Sequence, residues 1–207
     1  MKITIFGATG KTGNELIKQA LDHGHEVTVM VRDPKRLPKF SKDITVFSGD
    51  FNNIDIVRSS VEGQDAVICT LGTKDLYKNS GLRTLGTRAI IDAMKVVGVT
   101  RLVVMSAMGV GESWKSLSLF NKALFALLMP ATRQDHEGQE LAVKSSSLDW
   151  TIIRPSGLTD SPNVSAYEFG TDIRGKTSTV SRANVADLML KVIESKIHLQ
   201  EAITITN

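Results

Sequence analysis

The stretch KITIFGATGKTG, residues 2–13, decides the fold that the sequence predicts. Its first five residues are a β-rich run, and the glycine-rich turn after them opens a helix expected over Asn14–Asp22. Gly7, Gly10 and Gly13 form the pattern G-x-x-G-x-x-G, and glycine lets a backbone turn sharply and approach a ligand closely. A helix that starts at such a turn presents free N–H groups to an anion. A strand before the motif and a helix after it therefore indicate a pyrophosphate site.

Predicted strands and helices alternate along the rest of the chain. The further strands are expected over Glu26–Val31, Ile44–Phe47, Asp65–Cys69, Arg101–Met105, Trp150–Arg154 and Ala202–Thr206. The further helices are expected over Asn53–Val61, Leu82–Val97, Ser116–Met129 with Pro130 as its stop, Thr132–Ser145 and Arg182–Glu194. Strands joined through helices need right-handed crossovers. We predict an α/β fold of Rossmann type, a doubly wound, mainly parallel sheet with helices on both faces.

The whole chain, residues 1–207, is expected to form a single domain of this kind. Residues 156–180 include a long run rich in Ser, Gly, Asp and Thr that lacks strong periodicity. Because long irregular segments in compact domains are more often functional than idle, we predict that this segment lies on the substrate side.

The composition is that of an ordinary globular chain, with 207 residues, 42% hydrophobic residues and a net charge of +3. So small a charge does not indicate a nucleic-acid partner. The longest strongly apolar stretch, Ala123–Ala131, is far shorter than the roughly 20 residues of a membrane-spanning helix, so no membrane partner is expected. The sole cysteine, Cys69, cannot pair within the chain, and no secretory signal pattern is visible, which favours a cytoplasmic protein.

Two arginines follow the second predicted strand. NAD-specific folds usually carry an acidic residue there, about 20 residues past the glycines, which binds the ribose 2′-hydroxyl. Here Arg32 comes first and Arg36 follows one helical turn later, and guanidinium groups suit a 2′-phosphate. Asp33, beside Arg32, is evidence for the opposite preference, and a solvated basic turn is the alternative without a ligand. The arginines predict NADP(H) as the cofactor.

Further candidate residues follow the third and fourth predicted strands. Asp50 comes after the third strand, where it could accept a hydrogen bond from an adenine amino group. Leu71–Thr73 follow the fourth strand, beside the expected ribose or nicotinamide, although the Leu71 side chain could equally pack in the core. The predicted cofactor-binding residues are Gly7, Thr9, Gly10, Lys11, Thr12, Gly13, Arg32, Arg36, Asp50, Leu71, Gly72 and Thr73.

Several of these motifs also carry a family resemblance. The chain resembles the atypical short-chain dehydrogenase/reductases in GATGKTG, VRDPKRL, GD at 49–50, SAMG, DWTIIRPSGL and VSRANVADLML. Within that superfamily it most resembles the NAD(P)H-binding group that contains biliverdin-IXβ reductase, also called flavin reductase. The stretches GATGKTG, HEVTVMVRDPKRLP and GQDAVICTLGT are the most similar ones, and the likeness is looser beyond Gly109.

The tyrosine and lysine that typical members of this superfamily use are missing. Their Tyr-x-x-x-Lys motif supplies a general acid/base, but neither Tyr77 nor Tyr167 is followed by a lysine four residues later. Counting back from SSLDWTIIRP puts Thr132 and His136 at the usual positions of the pair. The resemblance implies that Ser106, at the end of the fifth strand, lies near the nicotinamide and the substrate, with a cap of the strand end as the alternative. His136 is a candidate proton donor, with a solvated surface histidine as the alternative.

No metal site is expected from the sequence. His23 and His25 flank a turn glycine and are interpreted as surface residues. An apolar helical stretch before Pro130 either belongs to the core or forms a wall of an apolar substrate pocket. Its residues are Trp114, Leu117, Phe120, Leu124, Phe125, Leu127 and Leu128.

Taken with the resemblance, the motifs predict an oxidoreductase that passes a hydride from NADPH to a flat electrophilic small molecule, a flavin or related heteroaromatic. One alternative is a quinone or a carbonyl or sugar-nucleotide-like substrate. The other is a non-catalytic redox sensor that binds NADP and acts through a protein partner, as NmrA-like relatives do. The sequence leaves the oligomeric state open between monomer and homodimer.

Overall fold

A computed structural model describes residues 1–73, 81–116, 130–161, 163–173 and 179–207. The strands within these ranges are β1 (Lys2–Phe6), β2 (Glu26–Val31), β3 (Thr45–Ser48), β4 (Ala66–Cys69), β5 (Arg101–Met105), β6 (Asp149–Pro155), β7 (Gly157–Thr159), β8 (Glu168–Gly170), β9 (Thr179–Ser181) and β10 (Glu201–Thr206). The helices are α1 (Lys11–Asp22), α2 (Ile54–Val61), α3 (Leu82–Val97), α4 (Pro130–Lys144) and α5 (Arg182–Glu194).

One sheet organises the molecule, with strand order β3-β2-β1-β4-β5-β6-β10-β8. All neighbouring pairs in it are parallel except β10 with β8. The chain winds outward from β1 to β3 and then returns to start again at β4, so the strand order reverses between β1 and β4. Ligands of such sheets bind in the crevice outside the carboxyl ends of the strands at this reversal.

Helices cover both faces of the sheet. On one face, α1 and α5 pack together over a core that includes Ile3, Ile5 and Val29. On the other face, α2, α3 and α4 pack over a core that includes Phe6 and Val104. Because each strand alternates its side chains between these two apolar layers, the strands are nearly continuous apolar runs. The prediction of a doubly wound, mainly parallel α/β fold is confirmed.

Helix α1 begins closer to the glycine motif than the apolar pattern of the helix predicts. The helix begins at Lys11, three residues before the predicted start, and Gly10 is its N-cap in an extended conformation. The polar residues of the first turn face the loop, so the apolar periodicity that predicts the helix starts only afterwards. The glycine loop and the helix therefore join directly.

Other boundaries also differ from the expectation. Residues 156–180 contain β7 and β8 and the start of β9, of which β7 and β9 pair in a separate two-stranded sheet. Helix α4 includes Pro130, two residues before the predicted start at Thr132, and Pro130 is its first described residue. The predicted helix over Ser116–Met129 and most of its apolar stretch lie outside the described residues. Within the described ranges, none of the helices combines the length and the hydropathy that a membrane crossing requires.

Candidate functional site

The parallel strands bring the predicted site residues to one edge of the sheet. Gly7 follows β1, Arg32 follows β2, Asp50 lies two residues beyond β3, Leu71 follows β4 closely, and Ser106 directly follows β5. Since these strands run in the same direction, all five positions lie at their carboxyl ends. The chain positions of these residues span a hundred places, and the sheet alone gathers them.

Backbone packing explains two of the three glycines in the loop. Gly7 has φ +88°, and a Cβ on it would lie 2.5 Å from the carbonyl oxygen of Thr70. A Cβ on Gly13 would lie 2.3 Å from the carbonyl oxygen of Gly7. Both glycines let β1, β4 and α1 approach one another more closely than any side chain allows. The packing of the fold therefore explains why residues 7 and 13 are glycines, and no ligand is needed to explain them.

Gly10 is different, because no such contact requires a glycine there. Its φ of −81° suits any residue, and a Cβ would meet one described atom within 4 Å, the carbonyl oxygen of Gly7 at 3.2 Å. The missing side chain therefore leaves open space over the start of α1. Among the described residues no side chain caps this helix, and its first turn holds no acidic residue, so the N–H groups there are available to an anion. An open cradle above an uncapped helix start fits a pyrophosphate.

The segment of residues 156–180 contacts the glycine loop through a carboxylate. Asp160, just after β7, forms an ion pair with the Lys11 ammonium and another with the Arg182 guanidinium. The hydrogen bond from Lys11, followed by the charge of Arg182, holds the pKa of Asp160 below its ordinary value. Lys11 is thus anchored beside the loop by a residue far away in the chain. The hydroxyl-bearing Thr9 is half-buried, and Thr12 is buried.

Both arginines after β2 are exposed. Within the part of the chain that the structure describes, neither Arg32 nor Arg36 forms an ion pair, so their guanidinium groups are available to an external anion. Asp33 instead accepts a hydrogen bond from the backbone N–H of Lys35 at 3.1 Å and caps the short turn Pro34–Arg36. This local structural role explains the presence of Asp33, the acidic residue that favoured NAD(H) over NADP(H).

The remaining predicted cofactor residues differ in what they present. Asp50 is exposed, and one carboxylate oxygen accepts the backbone N–H of Asn52 at 2.9 Å. The Leu71 side chain is 7% exposed and packs in the core, so only its backbone is left for a ligand. Gly72 is exposed and Thr73 is half-buried.

Ser106 and His136 come together at the end of β5, 30 residues apart in the chain. The Ser106 hydroxyl oxygen lies 3.4 Å from Nδ1 of His136, and both side chains are buried. Burial first, and then the charge of Arg83, lower the pKa of His136 to about 4. The imidazole is therefore neutral at pH 7. The alternative of a solvated surface histidine is wrong because the side chain is buried, and the role of His136 as a proton donor stays a prediction.

Sequence reasoning missed Arg83, a buried cation in the first turn of α3. Its guanidinium lies near Gly72, forms an ion pair with Asp135 at 3.4 Å, and leaves Nε without a partner among the described residues. Asp135 also accepts the backbone N–H groups of Arg83 and Thr84, at 3.2 and 3.0 Å, and so caps α3. A basic residue at a helix N-terminus opposes the helix dipole, which is the signal that could have drawn attention to Arg83.

The side chain of Tyr167 is held by a carboxylate of α5. Its hydroxyl donates a hydrogen bond to the carboxylate of Asp187 on α5. Partial burial, and then this bond, raise the pKa of Tyr167 well above its ordinary value. Tyr77 lies outside the described residues. Trp114 is described, and Arg133 stacks over its ring at 4.0 Å.

Comparison with known proteins agrees with this arrangement. A family model described as NAD(P)H-binding matches residues 7–196. The uncharacterized protein YwnB of Bacillus subtilis is 28% identical over 217 residues, covering 100% of this chain and 99% of that protein.

Two solved structures share the fold. One, described as ChuY, an anaerobilin reductase from Escherichia coli O157:H7, superposes with a TM-score of 0.82 at 24% identity, over 99% of this chain and 96% of the other. The other is a short-chain dehydrogenase/reductase from Veillonella parvula in complex with NADP. Its TM-score is 0.84 at 20% identity, over 100% of this chain and 94% of the other.

Proposed function

Because this chain belongs to the NAD(P)H-binding family, we propose that it is an NADPH-dependent reductase of a flat electrophilic acceptor, a flavin or a related heteroaromatic. The observation that carries the proposal is the buried pair of Ser106 and neutral His136 at the carboxyl edge of the sheet. His136 stands at the usual position of the lysine of alcohol-oxidising relatives, and Thr132 at that of the tyrosine. The described residues of the site can therefore orient a polar atom of an acceptor but include no strong general acid.

The cofactor preference rests on the exposed turn after β2. Arg32 and Arg36 would hold the 2′-phosphate of NADPH, since neither is engaged by a described carboxylate and Asp33 caps the turn between them. The pyrophosphate would lie over Gly10, against the uncapped N–H groups of α1. Asp50 would accept from the adenine amino group, and the backbone of Leu71–Thr73 would border the nicotinamide ribose.

When bound, NADPH supplies a hydride from C4 of its nicotinamide. With Nδ1–H as the tautomer of His136, the ring donates to Ser106 Oγ and leaves the hydroxyl hydrogen for a carbonyl or ring nitrogen of the acceptor. Burial, and then the charge of Arg83 beside Gly72, keep the imidazole neutral, and Arg83 adds positive potential at the same edge. An acceptor that gains negative charge is stabilised by these donors, and water can complete the protonation.

The structure from Escherichia coli supports a flat conjugated acceptor, because its description names an anaerobilin reductase, and anaerobilin is a conjugated linear tetrapyrrole. A conjugated acceptor spreads the charge that a hydride brings over many atoms. It therefore needs less acid catalysis than a simple ketone, which matches a site without Tyr-x-x-x-Lys.

The test is NADPH oxidation followed at saturating cofactor with a panel of FMN, a benzoquinone, a linear tetrapyrrole and a nucleotide sugar. Turnover of FMN or the tetrapyrrole, reduced at least about tenfold in Ser106→Ala with unchanged NADPH affinity, is the expected result. Turnover of the quinone or the sugar nucleotide alone would assign the other substrate class. Tight NADPH binding without turnover of any acceptor would favour the redox sensor and overturn the proposal.

A further inference from the structure

Three side chains with metal-binding atoms meet at the edge of the sheet opposite the candidate cofactor site. His23 is the C-cap of α1, His25 immediately precedes β2, and Glu194 is the last residue of α5. Nδ1 of His23 and Nε2 of His25 lie 2.9 and 2.8 Å from the same oxygen, Oε1 of Glu194. We propose that these three residues form a binding site for a divalent transition-metal ion, independent of the proposed reductase activity.

The spacing of the three ligand atoms suits a metal ion. All three lie within 4.8 Å of one another. In a tetrahedral zinc site with bonds of about 2.0–2.2 Å, neighbouring ligand atoms are roughly 3.3–3.5 Å apart. The two imidazole nitrogens therefore need to approach each other by at most about 1.5 Å, while the carboxylate moves back slightly. The side chains of His23 and Glu194 are 43% and 35% exposed, so they have room for this adjustment and the ion has a path from solvent.

The backbone holds the ligands in place before any ion binds. Gly24 has φ +79° and turns the chain between the two histidines, and the backbone N–H of His25 donates to the carbonyl of Ala20 at 2.9 Å. Helices α1 and α5 pack against each other, which brings Glu194 to this turn. The other nitrogen of His25 faces the Met1 amino group at 3.4 Å, so Nε2 is the atom turned toward Glu194. Such an arrangement lowers the ordering cost of coordination.

The donor set selects the kind of ion. Two imidazoles and one carboxylate favour borderline ions such as Zn²⁺ and Ni²⁺ over Mg²⁺ and Ca²⁺, which prefer oxygen ligands. Three protein ligands leave at least one position for water, as in an open site. Without an ion, the same carboxylate accepts a hydrogen bond from each ring. Partial burial alone would raise the pKa of Glu194, but these two bonds hold it below its ordinary value.

The test is calorimetric titration of the untagged full chain, first freed of metal with a chelator, with Zn²⁺ at pH 7.5 and again at pH 6. We expect one ion per chain, with proton release and weaker binding at the lower pH. His23→Gln and Glu194→Gln each remove one ligand and are expected to weaken binding at least about tenfold. Mg²⁺ in large excess should not compete.

His198→Gln is the matched control. Nδ1 of His198 lies 2.6 Å from Oε2 of Glu201 in an exposed pair. No third metal-binding side chain among the described residues lies beside this pair. This variant should bind Zn²⁺ like the wild type. If the wild type takes up no Zn²⁺ at 1 mM, or if His23→Gln binds as tightly as His198→Gln, the proposal is wrong. Circular dichroism of each variant checks that it is folded. If Glu194→Gln does not fold, His23→Gln alone tests the proposal, because His23 is exposed.

Discussion

A side chain at Gly10 should abolish cofactor binding while the fold persists. The sharpest change is Gly10→Val, because the φ of −81° and ψ of 160° suit valine and a Cβ meets only Gly7 O, at 3.2 Å, among the described atoms. Valine is a poorer helix N-cap than glycine, which costs up to about 1 kcal/mol. For a chain of this size that corresponds to a Tm lower by roughly 2–4 °C.

The stabilisation expected from bound NADPH is larger than the cost of the substitution. At 100 times its Kd, NADPH stabilises the folded chain by about 2.7 kcal/mol, which raises the Tm of the wild type by roughly 5–10 °C. Gly10→Val should show no such rise, because its side chain fills the space over the start of α1. Thermal melts with and without NADPH, together with a fluorescence titration, measure both quantities.

Gly7→Ala is the comparison that separates fold from binding. Its φ of +88° is unfavourable for alanine, and the Cβ would lie 2.5 Å from Thr70 O. Strain and overpacking together cost about 2–5 kcal/mol, so this variant should lose much more stability than Gly10→Val. Undiminished NADPH binding by folded Gly10→Val would refute the placement of the pyrophosphate.

The remaining predictions concern the arginine turn and the buried polar pair. Arg32→Ala should lower NADPH affinity by about 10- to 150-fold and leave NADH affinity nearly unchanged, as titration of both cofactors would reveal. Tyr167→Phe should keep at least about a tenth of the wild-type rate, since losing a general acid costs about 10²–10⁴-fold, whereas Ser106→Ala should lose more. A thousandfold loss in Tyr167→Phe at unchanged cofactor affinity would show that tyrosine is the acid. Because His136 has a folded-state pKa of about 4 against 6.5 when unfolded, the unfolded chain binds the proton first as pH falls. Stability should therefore drop by about 3 kcal/mol from pH 6.5 to 4, and denaturant titrations should show a smaller drop in His136→Gln.

The fold could be predicted from the sequence because the patterns that indicate its strands and helices are local. The bounds of β1, β2, α3, β5 and α5 follow from runs of apolar residues and from helical periodicity, and the structure has them at the predicted residues. The short strands β7, β8 and β9 were missed, because three residues are too few to show an alternating pattern. Their pairing depends on β10 and on one another, which no local pattern reveals.

The residues of the candidate site could be predicted from the sequence only where they directly follow strands. The positions of Ser106 and Arg32 could be predicted because the carboxyl ends of parallel strands share one edge. The neutral state of His136 could not, because it depends on burial and on Arg83, which comes from another helix. Nor could the convergence of Glu194 with His23, since 171 positions separate them in the chain. Single-domain organisation and cytoplasmic location remain predictions.

The most direct test of the central claim is a single-turnover experiment with NADPH that carries deuterium at the transferable C4 position, mixed with FMN or a linear tetrapyrrole. The wild type should oxidise the bound NADPH with a primary isotope effect, and Ser106→Ala should slow that step without releasing the cofactor. Deuterium recovered in the reduced tetrapyrrole would show direct hydride transfer from the nicotinamide. NADPH that stays bound and unoxidised in the presence of every acceptor would contradict the assignment of this chain as a reductase.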